Sequence, residues 1–204
     1  MTRFALAERL ALADQMAQAG PDAPTLCGEW TVRDLAAHII LRERRPDAAG
    51  GIFFKSLAGR TARVQQRIAT REFSQLLRTL RKPAWPRFLD EALNLTEMFV
   101  HLEDVRRAGS SWEPRTLPAP LQDALWRQVR RRTALVLRRF RATVRLEAPG
   151  FGTVTGGKGG ADIDVRGEPG ELLIFLFGRQ AHARMTVDGP SEQVERLRRA
   201  RLGV

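Results

Sequence analysis

The chain has 204 residues, 43% hydrophobic and 28% charged, with a formal net charge of +11. This composition is typical of a globular protein and excludes a disordered or fibrous chain. No apolar run approaches the roughly 20 residues that span a bilayer, and the charged residues of the first turns exclude a secretory signal peptide. A single cysteine, Cys27, excludes an internal disulfide. We therefore expect a cytoplasmic protein without a membrane segment.

Arginine supplies most of the positive charge. Only Lys55, Lys82 and Lys158 are lysines among 34 basic residues, and the arginines are spread along the whole chain. A basic surface can bind nucleic acid, but this distribution is as typical of codon usage in a GC-rich genome. The arginine-rich stretch 127–141 is interpreted as a solvated helix face. We do not expect a nucleic-acid partner.

The first half of the sequence predicts four long helices joined by short links. Thr31, followed by Asp34, is typical of a helix N-cap with a capping box, and Gly20, Pro46 and Gly109 are typical helix terminators. Hydrophobic periodicity and these signals place the helices at 3–19, 31–45, 52–81 and 87–108, with an interruption of the third near 69–71. Four helices with short connections favour a four-helix bundle.

The second half has a different pattern of predicted secondary structure. Residues 109–120, rich in Pro and Ser, form the best boundary in the chain. After it the sequence predicts a helix at 121–141, strands at 143–147, 151–155, 162–166 and 183–187, a buried run at 171–177 and a helix at 191–201. The predicted fold class is α+β, with a four-helix bundle over residues 1–112 and a small α+β domain over residues 113–204.

Glu97 and His101 lie four residues apart in the fourth predicted helix, so they share one face of it. Leu93, Phe99 and Val100 indicate that this helix is packed, and buried polar groups are costly unless paired or bound to a metal. One hypothesis makes Glu97 and His101 two ligands of a metal ion. The other pairs Glu97 with Arg87 or Arg106 and leaves His101 as an ordinary, partly buried histidine.

Two motifs add weight to the metal hypothesis. The run from Cys27 to His38 reads CGEWTVRDLAAH, and Glu97-x-x-x-His101 follows it. With the later run GELLIFLFGR at residues 170–179, they resemble the mycothiol-dependent maleylpyruvate isomerase family, a branch of the DinB-like helical bundles. The resemblance implies that His38, Glu97 and His101 bind a divalent metal, zinc first and nickel, iron or manganese next.

The same resemblance implies a function. It implies mycothiol as a thiol cosubstrate and a transferase or isomerase reaction on a small electrophilic metabolite, with a monomer or homodimer as the assembly. Residues 42–48 depart from the family pattern and resemble a distinct actinobacterial subgroup, so the substrate stays open. The alternative is a non-catalytic metal-binding protein, or a basic module that binds nucleic acid or an acidic partner.

Three further residues are candidates for the site. Arg42 is predicted to act in catalysis by binding a carboxylate of the thiol or substrate, against the alternative of a surface arginine. Asp34 either orients His38 or only caps its helix. Cys27 is either a reactive thiol near a helix start or a buried loop cysteine.

Overall fold

The structure, a computed structural model, describes residues 4–52, 54–84 and 86–203, and within them it does not describe the side chains of residues 52, 55, 87–89 and 92. The chain divides into two compact units, Met1–Trp112 and Glu113–Val204. The regular elements of the described residues are helices and one four-stranded sheet, which confirms the α+β class. None of the described helices has both the length and the apolar character that crossing a membrane would require.

The first unit is a bundle of helices. The two long helices α1 and α5 pack on each other, while α2 packs on α3 and α4. The predicted third helix is divided in two around residues 70–72, as the sequence indicated. The helices are α1 (Phe4–Ala19), α2 (Val32–Arg44), α3 (Ala58–Ala69), α4 (Phe73–Leu80) and α5 (Arg87–Arg106), with short 3-10 turns at Ala49–Ile52 and Lys55–Leu57.

The apolar residues of the bundle do not all lie where the sequence pattern placed them. Leu10 of α1 and Leu93 of α5 are 38% and 51% exposed, whereas Phe99 and Val100 are buried as expected. The face of α1 that is buried instead carries one charged residue with no exposed surface, Arg9. Its other members include Ala5, Leu12, Ala13 and Met16.

Arg9 is the centre of a buried ionic network. Its Nη1 and Nη2 donate to the two carboxylate oxygens of Glu43 in α2, at 2.9 and 2.6 Å. Nη2 also donates to Oδ1 of Asp90 in α5, at 2.7 Å, and Nη1 to the carbonyl oxygen of Leu80, at 3.1 Å. Paired and hydrogen-bonded in this way, a guanidinium can be buried. The network joins α1, α2, α5 and the end of α4.

The start of α2 is fixed by the predicted capping box. Thr31 Oγ1 accepts from the Asp34 backbone N–H at 3.3 Å, and Asp34 Oδ2 accepts from the Thr31 N–H at 3.0 Å. The loop before α2 is tied to α5, because the backbone N–H of Leu26 donates to the carbonyl oxygen of Asp104. The Leu26 bond places the loop around Cys27 beside the second half of α5.

The second unit combines a mixed sheet with helices. In the order β2-β1-β3-β4, β1 pairs antiparallel with β2 and parallel with β3, and β4 is antiparallel to β3. Residues 171–176 of the predicted run are helical and all buried, because all of them except Glu171 are apolar and cover every side of the helix. The elements are α6 (Ala119–Val136), β1 (Thr143–Ala148), β2 (Gly152–Gly157), β3 (Asp162–Arg166), α7 (Pro169–Leu176), β4 (Thr186–Asp188) and α8 (Ser191–Arg199).

Two bounds in this unit differ from the sequence prediction by more than two residues. The helix predicted to reach residue 141 ends at Val136. The last strand covers only Thr186–Asp188, and it follows a 3-10 turn at Gln180–His182 and three residues without regular structure. Gly178 supports this change of direction. Its φ is +82°, and a Cβ there would lie 2.5 Å from the carbonyl oxygen of Leu202.

Candidate metal centre

The structure brings His38, Glu97 and His101 together on facing helices. His38 lies on α2, and its ring centroid is 5.9 Å from that of His101 on α5, with the rings edge to face. One turn earlier on α5, Glu97 Oε2 lies 3.6 Å from His101 Nε2. Trp30, just before α2, covers His38 with ring centroids 4.8 Å apart. Two imidazoles and a carboxylate thus meet in one partly covered site.

The environment sets the charge of each group. Burial lowers the pKa of His38 to about 4, with further lowering by His101 and Arg42, so His38 is neutral at neutral pH. Burial alone would raise the pKa of Glu97, but the proximity of His101 and Arg42 outweighs it and lowers the pKa to about 2. The site therefore offers a neutral imidazole lone pair and an ionised carboxylate.

His101 is also held from its other side. Its Nδ1 lies 2.9 Å from Oδ2 of Asp104, a buried carboxylate one turn further along α5. Burial opposes a charge on the ring, but Asp104, Cys27 and Glu97 together raise the pKa of His101 well above its ordinary value. A carboxylate on one ring nitrogen fixes the orientation of the imidazole and leaves the other nitrogen for a ligand.

Cys27 completes a second group of donors. Its Sγ donates to Asp104 Oδ2 at 3.0 Å and lies 3.8 Å from His101 Nδ1. Donor atoms of Cys27, His101 and Asp104 all lie within 4.8 Å of one another, so these three could also hold a metal ion. The sequence reasoning missed Asp104, although its spacing of three residues after His101 on one helix was a usable signal.

Arg42 lies beside Glu97 and is tied to α5. Its Nη1 donates to Oδ1 of Asn94 at 2.6 Å, and its Nε lies 3.7 Å from Glu97 Oε2. The Arg42 and Glu97 side chains are each 23% exposed. Arg42 therefore borders the site with part of its side chain exposed.

Two alternatives from the sequence can be compared with these contacts. Asp34 Oδ2 accepts from Thr31 in the capping box. The side chain whose hydrogen bonding raises the pKa of His38 is that of Gln65, not Asp34. Arg106 pairs with Glu103, so Glu97 is left to Arg42 and His101. The side chain of Arg87, the other partner considered for Glu97, lies outside the described ones.

The residue types of His38, Glu97 and His101 are ones that bind divalent metals. Among the described residues, however, the three whose ligand atoms all lie within 4.8 Å of one another are Cys27, His101 and Asp104. Zinc takes histidine nitrogens and carboxylate oxygens at about 2.0–2.2 Å in tetrahedral geometry, which separates two ligand atoms by about 3.4 Å. The Glu97 and His101 atoms, at 3.6 Å, are close to that separation. Cys27, His101 and Asp104 form a second set of possible metal ligands. In this set His101 would bind through Nδ1.

Zinc binding is expected to depend on pH through His101. Because the pKa of His101 is raised, the metal-free protein carries a proton there at neutral pH, and a metal must displace it. Affinity should therefore rise about tenfold per pH unit until His101 is deprotonated, whereas His38, with a pKa of about 4, should release no proton in that range. Calorimetric titration in buffers of different ionisation enthalpy counts the protons. Equal affinity at about pH 6 and 7 would contradict the prediction.

Comparisons with known proteins point to one fold. No protein-family model matches the sequence, and no significant match to a curated protein sequence was found. Two solved structures match in three dimensions, each over 92% of this chain and 96% of their own. They are a histidine-to-alanine mutant of mycothiol-dependent maleylpyruvate isomerase, with a TM-score of 0.55 at 14% identity, and the mycothiol-dependent maleylpyruvate isomerase itself, with 0.52 at 16%. The chain therefore has the fold of mycothiol-dependent maleylpyruvate isomerase.

Proposed function

We propose that the protein is a metal-dependent enzyme that uses a low-molecular-weight thiol, mycothiol first, in an isomerase or transferase reaction on a small electrophilic metabolite. The observation that carries the proposal is the meeting of His38, Glu97 and His101 on facing helices, where His38 is neutral and Glu97 is ionised. These three are the proposed ligands, and zinc is the first candidate. Three protein ligands leave a position open for an exogenous group.

Each residue of the site has a distinct role in this proposal. A bound divalent metal would act as a Lewis acid and lower the pKa of a thiol at the open position. Asp104 holds the proton on Nδ1 of His101, which directs Nε2 toward Glu97. Arg42 binds an anionic group of the thiol or of the substrate with the exposed part of its guanidinium. Trp30 covers His38 and excludes water from that side.

The choice of thiol rests on the similar structures, both of which are described as mycothiol-dependent. A thiol cosubstrate must be kept reduced, which fits a cytoplasmic location. The substrate is proposed only as an electrophile that a thiolate can attack reversibly.

Cobalt substitution tests the metal and the thiol together. Co²⁺ occupies zinc sites and reports its ligands by visible absorption, and a bound thiolate adds a sulfur-to-metal charge-transfer band. Cobalt-loaded protein titrated with mycothiol should develop this band at saturation, and His101→Ala protein treated identically should not. Turnover of maleylpyruvate, the substrate in the name of both similar proteins, is then assayed with and without mycothiol.

Two results would count against the proposal. If wild-type protein binds neither cobalt nor zinc, the proposed metal site is contradicted. Protein that binds metal but shows no thiol band would favour the non-catalytic metal-binding alternative.

A further inference from the structure

A chain of polar groups leads from the buried core of the bundle to the edge of the metal centre. Arg9 donates to Asp90 Oδ1 at 2.7 Å, and the Asn94 side-chain Nδ2 donates to the same oxygen at 2.7 Å. Asn94 Oδ1 then accepts from Arg42 Nη1 at 2.6 Å. Asn94 is 1% exposed, so no solvent competes for these bonds. The chain ends on Arg42, next to Glu97.

The orientation of the Asn94 amide is dictated by its neighbours. A carboxylate at Asp90 can only accept, and a guanidinium at Arg42 can only donate. The Asn94 NH₂ must therefore face Asp90 and its oxygen must face Arg42, as the two distances show. Because Asp90 is itself fixed by Arg9, the Asn94 oxygen is a rigid acceptor for the guanidinium.

This tie keeps Arg42 at a particular distance from Glu97. The Arg42 Nε to Glu97 Oε2 separation of 3.7 Å is an ion pair but is too long for a hydrogen bond. Arginine and carboxylate otherwise close into short, often bidentate, charge-assisted hydrogen bonds. Such a closed pair would occupy the carboxylate oxygens that a metal ion needs.

We propose that Asn94 is a positioning residue that holds Arg42 off Glu97, so that the Glu97 carboxylate stays available as a metal ligand. The inference rests on the proposed function, because it assigns Glu97 to the metal. Arg9 and Asp90 act through Asn94 by fixing its amide. Arg42 thus stays close enough to bind an anion at the site without forming a closed ion pair with Glu97.

The test compares the zinc affinity of wild type, Asn94→Leu, Arg42→Met and the double variant, by competition with a chromophoric chelator. Asn94→Leu frees Arg42 to close on Glu97, and zinc affinity should fall about tenfold or more. Arg42→Met should bind zinc at least as tightly as wild type, because a nearby positive charge is gone. The double variant should recover to within about threefold of Arg42→Met.

This recovery separates positioning from a loss of packing. If Asn94 only supported the fold, removing Arg42 as well would not restore affinity. Thr96→Val, a substitution of another buried polar residue on α5, is the matched control and should leave affinity unchanged. A crystal structure of Asn94→Leu should show Arg42 hydrogen-bonded to Glu97, and this readout needs no metal.

The outcomes distinguish this inference from the proposed function. Metal binding in wild type with equal affinity in Asn94→Leu overturns the positioning role and leaves the metal site standing. A low affinity in the double variant, or an Arg42–Glu97 separation unchanged in the Asn94→Leu structure, also overturns it. Absence of metal binding in wild type overturns both.

Discussion

His101→Ala is expected to lower zinc affinity by at least about 100-fold. A structural zinc ion binds with roughly 10–16 kcal/mol through four ligands, so the loss of one corresponds to about 3 kcal/mol. His101 is the residue shared by both candidate donor sets, through Nε2 toward Glu97 and through Nδ1 toward Asp104 and Cys27. The measurement is competitive titration with zinc, with Thr96→Val as the control.

Variants of the other donors decide which set binds the metal. If His38 and Glu97 are ligands, His38→Ala and Glu97→Gln should each lower zinc affinity by a factor similar to that of His101→Ala. Cys27→Ser should change zinc affinity by less than about tenfold. Asp104→Asn should then cost about 10–100-fold, as for an outer carboxylate on a ligand histidine. A large loss in Cys27→Ser, with none in His38→Ala, would instead assign the metal to Cys27, His101 and Asp104.

The second large effect concerns stability. Arg9→Met should lower the free energy of unfolding by about 3–5 kcal/mol, because the buried carboxylates of Glu43 and Asp90 would lose the cation that they pair with. The Arg9 side chain has no exposed surface, and those of Glu43 and Asp90 are 3% and 4% exposed. Burial alone would lower the pKa of Arg9, but its bonds to Glu43 and Asp90 raise it above the ordinary value, so the residue is charged at any working pH.

Urea unfolding followed by far-ultraviolet circular dichroism measures this effect. Arg130→Met, on the exposed side of α6, is the matched control and should change stability by less than about 0.5 kcal/mol. The network would be shown to contribute little if Arg9→Met stayed within about 1 kcal/mol of wild type. Replacing Glu43 together with Arg9 should cost less than the sum of the two single changes, because the residues interact directly.

Local sequence rules predicted the parts of the structure that depend on neighbouring residues. The Thr31 and Asp34 capping box follows from a spacing of three, and the shared face of Glu97 and His101 follows from a spacing of four. The pairing of His38 with them came from the family resemblance, and the structure places the three side chains together. Their role as ligands remains a prediction.

The missed features depend on contacts distant in sequence. Arg9 looks like a solvent-facing residue of an amphipathic helix until Glu43 and Asp90 are placed around it. The contact of Cys27 with Asp104 spans 77 residues, and a loop conformation decides it. The run at 171–177 had no period to separate helix from strand, because every residue after Glu171 is apolar.

The packing of α1 on α5 has a consequence for synthesis on the ribosome. Arg9 and Asp90 are 81 residues apart, so the first helix to emerge gains its main partner only when the last helix of the bundle has left the exit tunnel. Until then Arg9 can pair with Glu43 of α2 but lacks Asp90. We therefore expect the bundle to form only after α5 has been synthesised, because the main packing partner of α1 is missing until then.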